Sequence, residues 1–147
     1  MAKTPDRFRY FFVILFVCAF ALNWIWEIAQ LSAYQTTEKS ILESLLFCTL
    51  ASVIDALTIL AIYRVAVFLF DRAAMKFYLT AALLGALWAV VFEKIAFTLG
   101  WWSYHEEMPR VPLLGTGLLP FMQLTTLAPL SMWAARYWQK LRTQNDK

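Results

Sequence analysis

The sequence is poor in charge: Asp, Glu, Lys and Arg make up 16% of its 147 residues, where an ordinary soluble domain carries about 25%. Glycine (4) and proline (5) are also scarce, which excludes collagen-like, linker-rich and low-complexity chains. Two cysteines, Cys18 and Cys48, lie inside apolar runs without CxxC or metal-type spacing. That excludes a disulfide scaffold and leaves them packing roles. A single histidine, His105, and no HExxH element leave too few ligands for a zinc centre or a bis-histidine haem. Ser103 has no nucleophile elbow around it, and no Gly-rich phosphate loop occurs. No metal and no cofactor are therefore expected. The net charge of +3 does not imply nucleic acid, because the basic residues sit singly at the ends of hydrophobic runs and not in one patch interleaved with aromatics.

What fills the chain is apolar: 61% of residues come from AVILMFWYC and 17% are aromatic. Four long runs stand out, at residues 10–29, 41–69, 77–99 and 118–138, each reaching the ~20 residues that cross a ~30 Å hydrocarbon core. Lipid forces backbone polar groups to pair internally, and the alternating pattern of a β-barrel is absent, so the runs predict helices. The expected fold is all-α: one integral membrane domain over residues 1–147, a four-helix antiparallel bundle with an ordered outer loop between the third and fourth helices. Gly100, Pro109, Pro112, Gly115 and Gly117 punctuate that loop. Pro120 and Pro129 fall in the fourth run, where each is expected to remove a backbone hydrogen bond.

Charge sets the expected orientation. With the N-terminus cytoplasmic, Lys3, Arg7, Arg9, Arg64, Arg72, Lys76, Arg136, Lys140, Arg142 and Lys147 fall on that side and only Lys39 and Arg110 on the other, a strong positive-inside bias. Trp24, Trp26, Tyr34, Trp101, Trp102 and Tyr104 form the expected outer aromatic belt, and Tyr10, Trp133, Tyr137 and Trp138 the inner one. Lys3 to Arg9 followed by Ala19-Phe20-Ala21 also fits a cleavable secretory signal. The apolar run continues past it through Trp24, Ile25 and Trp26, which gives span length.

Ionisable groups inside spans are expensive, about 2.5–3.5 kcal/mol each on insertion scales, and mark functional sites by default. Here they are Glu27, Asp55, Glu93 and Lys94, with Asn23, Gln30 and Gln123 as uncharged companions. Asn23, Glu27 and Gln30 share one helix face. Counting residues along the spans places them at the level of Glu93 and Gln123. The expectation is an outer-leaflet pocket lined by Asn23, Trp26, Glu27, Gln30, Glu93 and Gln123 and roofed by Trp101, Tyr104, His105 and Glu106. Asp55, counted past the middle of the second span, is expected at a deeper, separate position. Lys94 is expected to snorkel outward or to pair with a carboxylate. In low dielectric two neighbouring carboxyls cannot both ionise, so one serves as acid and the other as base. Aromatic rings beside them stabilise a carbocation. That combination suits isomerisation, cyclisation or hydration of a polyene, with Glu27, Glu93 and Asp55 as candidate catalytic residues. The stripe Phe11, Phe12, Phe16 and Phe20 is expected to pack or to face lipid.

The element Asn23-Trp24-Ile25-Trp26-Glu27-Ile28-Ala29-Gln30, with Asp55-Ala56-Leu57-Thr58, Glu93 and the run from Gly100-Trp101-Trp102-Ser103-Tyr104 to Pro120, resembles small bacterial integral membrane proteins of unassigned function that carry N-x-x-W-E-x-x-Q in their first span. With the charge bias, this implies a multi-pass protein of the bacterial cytoplasmic membrane with both termini cytoplasmic. A more distant similarity, through the Trp-Glu pair and the glutamate ahead of a Gly-x-x-x-Tyr stretch, is to integral-membrane carotenoid cyclases and hydratases and to membrane terpene cyclases. It implies isoprenoid chemistry with Glu27 and Glu93 as acid and base. Two other readings stand beside a cofactor-free enzyme on a lipophilic substrate. One is a small proton-coupled transporter. The other is a homo-oligomer or a non-catalytic subunit whose polar face joins a membrane partner protein.

Overall fold

A computed structural model describes residues 4–33, 40–72, 74–101 and 103–145, excepting the side chains of 4–8 and 145. Tyr34 and Trp102, expected in the outer belt, and Lys3, Lys39 and Lys147, counted for orientation, lie outside them. The fold is all-helical: α1 Thr4–Gln30, a 3-10 turn at Leu31–Ala33, α2 Ile41–Leu69, α3 Met75–Thr98 and α4 Leu118–Asn145. Three of these, α1 to α3, are long and apolar enough to cross a membrane. The fourth has span length but is more polar, with Arg136, Gln139, Lys140 and Arg142 in its second half.

The boundaries have local causes. α2 starts where Ser40 forms a capping box: its hydroxyl accepts from the Glu43 amide (3.3 Å) while the Glu43 carboxylate accepts from the Ser40 amide (2.8 Å), satisfying two donors that the first turn leaves over. α1 begins six residues before the apolar run and α4 continues seven beyond it, because helix propagates without apolarity once a nucleus exists. Pro120 falls in the first turn of α4, where its missing N–H has no partner to lose. Only Pro129 lies inside that helix, which corrects the expectation of two interruptions.

Adjacent helices run antiparallel, as the pairs across each seam require. Phe11 at the start of α1 meets Tyr63 late in α2, Tyr63 meets Phe77 early in α3, and Arg136 late in α4 bonds to Tyr78 early in α3. The α3–α4 seam is tight. A Cβ on Gly85 would stand 2.3 Å from the Leu124 carbonyl oxygen, so the two backbones touch there, and buried Ala81 and Ala89 extend the small-residue face by one turn on each side.

The burial pattern inverts that of a soluble protein. Leu46, Leu50, Phe68, Leu83, Leu87 and many other large apolar residues are exposed, while Asn23, Gln30, Ser52, Glu93, Gln123 and Ser131 are buried. An apolar exterior around a core that also takes in polar side chains is the arrangement lipid selects. The half of the bundle nearer the start of α1 is aromatic. Tyr63, 1% exposed, has Phe11 at 5.0 Å, Phe12 at 5.6 Å and Phe77 at 5.9 Å between ring centroids. The Phe11–Phe20 stripe thus belongs to the core, with Phe11 buried and Phe12, Phe16 and Phe20 packed against it.

Candidate functional site

The i, i+4, i+7 spacing of Asn23, Glu27 and Gln30 puts all three on the face of α1 that meets α4, and Gln123 on the second turn of α4 reaches into them. The amide orientations follow from one group that can only donate and one that can only accept. The Trp26 indole N–H donates to Gln30 Oε1 (3.0 Å), so Gln30 Nε2 is the donor to Gln123 Oε1 (2.9 Å). At the other end Asn23 Nδ2 donates to the Ala19 carbonyl (2.8 Å), which turns Asn23 Oδ1 toward Gln123. Gln123 Nε2 therefore faces three acceptors: Asn23 Oδ1 at 3.0 Å, Glu27 Oε1 at 2.9 Å and Asp55 Oδ2 at 2.9 Å.

An amide nitrogen carries two hydrogens, one fewer than the acceptors around it. The Glu27 and Asp55 oxygens, each 2.9 Å from the same nitrogen, are no further apart than twice that distance. The centre brings two half-buried carboxyls together around one amide nitrogen.

Asp55 is thus not a separate, deeper position but the third acceptor of the same centre. Depth counting fails for α2 because 29 residues make a helix of about 43 Å, longer than the ~30 Å core, so its ends are no guide to depth. Glu93 is buried (3% exposed) on α3. Its register separates it from this centre: Gly85 marks the level of Leu124, and Glu93 lies two turns further along α3, ~12 Å of axial rise. The hydrogen-bond partners of the Gln123 side chain come from α1 and α2.

The expected roof divides. Tyr104 is buried, packs edge-on against Phe97 at 4.7 Å, and its hydroxyl accepts from the Gly117 amide at 2.8 Å. A Cβ on Gly117 would stand 2.7 Å from that hydroxyl, so glycine permits the contact, and an Arg110–Gly117 bridge closes the loop beside it. Tyr104 is therefore a strut of the loop, and Trp26 a donor within the centre; neither is a free member of an aromatic belt. Trp101, His105 and Glu106 are exposed; His105 ties the loop to the end of α1 through its backbone N–H on the Ala33 carbonyl (3.1 Å). Lys94 is exposed. Among the described residues no group of three His, Cys, Asp or Glu is placed to hold a metal ion.

Gly85 is the positioning residue that motif reading passes over, since its contact fixes α4 one residue from Gln123. The signal was present as Ala81-x-x-x-Gly85-x-x-x-Ala89, the small-residue spacing that lets membrane helices touch. Comparison with protein-family models, with curated proteins and with solved structures finds no match to this chain.

Proposed function

We propose that the chain is an integral membrane enzyme that acts on a lipophilic, isoprenoid-class substrate by cofactor-free acid–base chemistry between Glu27 and Asp55. The observation that carries this reading is the Gln123 amide nitrogen, with two hydrogens among three acceptor oxygens, two of them carboxyl. The pair holds one proton. The carboxylic acid gives that proton to a substrate double bond, and the resulting carbocation is stabilised by the Trp26 ring. The cation then returns a proton to the carboxylate from a neighbouring carbon, for isomerisation or cyclisation, or takes up water, which as it adds gives its proton to the carboxylate, for hydration. Asn23, Gln30 and Gln123 orient the acids; Glu93 serves a second, outer position. In this reading α4 is the fourth span and both termini face the cytoplasm of a bacterial cell, in keeping with the basic residues gathered at that end. The distant likeness to carotenoid and terpene cyclases favours the same substrate class.

The test is mass spectrometry of lipids extracted with the purified full chain, comparing wild type with Glu27→Gln and Asp55→Asn. The expected result is an isoprenoid-class species whose chemical form differs between wild type and both variants. Phospholipid alone, identical in all three, overturns the enzyme and leaves the pair as a proton carrier of a small transporter or as the polar contact of a membrane subunit.

A further inference from the structure

A groove of about 730 Å³ runs between α1 and α4 in the aromatic half of the bundle, away from the carboxyl centre. Its room comes from small side chains, Cys18 and Ala21 on α1 and Ala134 on α4, and its bulk from Trp133 and Trp138. Among the described residues Arg142 is its lone charged lining residue, and it sits in the last turn of α4. From Trp133 to Arg142 the helix rises ~14 Å, about half of a ~30 Å hydrocarbon core. The groove therefore has the depth of one leaflet and ends at a cation.

That cation is held in place. The Arg142 guanidinium lies over the Tyr10 ring at 4.5 Å and donates from one Nη to the Tyr10 hydroxyl. A guanidinium has five N–H donors in a planar fork, and the edge turned from Tyr10 matches two oxygens of a phosphate. Arg9, Arg64, Arg72, Lys76, Arg136 and Lys140 gather at the same end of the bundle, so the field there also favours an anion.

We infer that this groove is a binding site for an anionic phospholipid, with an acyl chain between α1 and α4 and the phosphate on Arg142. The length of the groove selects an acyl chain, the cation selects its headgroup, and the exposed apolar lining excludes a soluble anion as the occupant. The inference is independent of the chemistry at Glu27 and Asp55, and requires only that α4 lie in the membrane.

Native mass spectrometry tests it on the full chain, stripped of lipid in detergent and titrated with phosphatidylglycerol or phosphatidylcholine of identical acyl chains. Wild type is expected to retain phosphatidylglycerol preferentially. Arg142→Ala should weaken that lipid about tenfold, the worth of one charge-assisted contact, and weaken phosphatidylcholine less, because its choline cation already offsets the phosphate charge; Ala134→Trp, which fills the groove, should weaken both. Lys140→Ala, which removes a charge outside the groove lining, should reduce the preference far less than Arg142→Ala does. Equal retention of the two lipids by wild type, or an undiminished preference in Arg142→Ala, overturns the site. So does conversion of a dimer to a monomer by Ala134→Trp with lipid retention unaltered, because the occupant is then a second copy of the chain.

Discussion

In the half of the bundle near the start of α1, Tyr63 is surrounded by Phe11, Phe12 and Phe77, ring against ring, and Arg136 reaches the Tyr78 hydroxyl at 2.7 Å and the Arg72 carbonyl. In the other half, side chains from three helices meet around the single amide of Gln123. The aromatic half is redundant, because each ring touches several others and none decides the orientation of the next. The polar half is serial: Trp26 orients Gln30, Gln30 orients Gln123, and Gln123 meets the carboxyls. Between helices in lipid no water remains to be released, so the first is stabilised by contact area and the second by pairing of groups that are costly to leave unpaired.

The sharpest way to separate the two halves is to break the serial one at its end. Glu27→Gln and Asp55→Asn should each lower turnover of the substrate found by extraction by at least about a hundredfold, the usual scale of a lost general acid or base, with thermal stability in detergent nearly unchanged. Tyr63→Ala should do the converse. It should destabilise by about 3 kcal/mol, as loss of a buried ring does, read as a lower unfolding midpoint, while the protein that remains folded keeps its turnover number. Gly85→Ala should couple the halves, because its Cβ must displace the Leu124 carbonyl and with it Gln123. We expect about 1–3 kcal/mol of destabilisation, the cost of overpacking, together with lost turnover. The smallest effect belongs to Trp26→Phe, which keeps the ring but removes the N–H that orients Gln30. It should cost about 1 kcal/mol and lower turnover several-fold, and restoring the donor with Trp26→His should recover part of it.

These differences also explain which features could be read without coordinates. The α2 boundaries at Ile41 and Leu69 were legible because the apolar run spans 41–69, with Asp71 and Arg72 just beyond it. Asn23, Glu27 and Gln30 were legible as one face because helical spacing is local. The place of Asp55 was not, since it depends on how far a long α2 extends past the membrane core and on the reach of the Gln123 side chain from α4. The end of α4 was equally hidden: hydropathy stops near Trp138, but hydrogen bonding does not. Tyr104 and Trp26 read as belt aromatics because composition cannot distinguish a ring facing lipid from one whose hydroxyl or indole is engaged inside.

The polarity of α4 bears on how the protein is made. The first three helices are long and apolar enough to cross a membrane, whereas α4 is more polar and touches α3 backbone to backbone at Gly85. During synthesis the nascent chain thus holds Glu27 and Asp55 before Gln123 arrives, and the last helix to dock is the one that brings their shared donor. Maturation of the centre and completion of the bundle are then one event, so a chain arrested before α4 would carry both carboxyls without the amide that joins them.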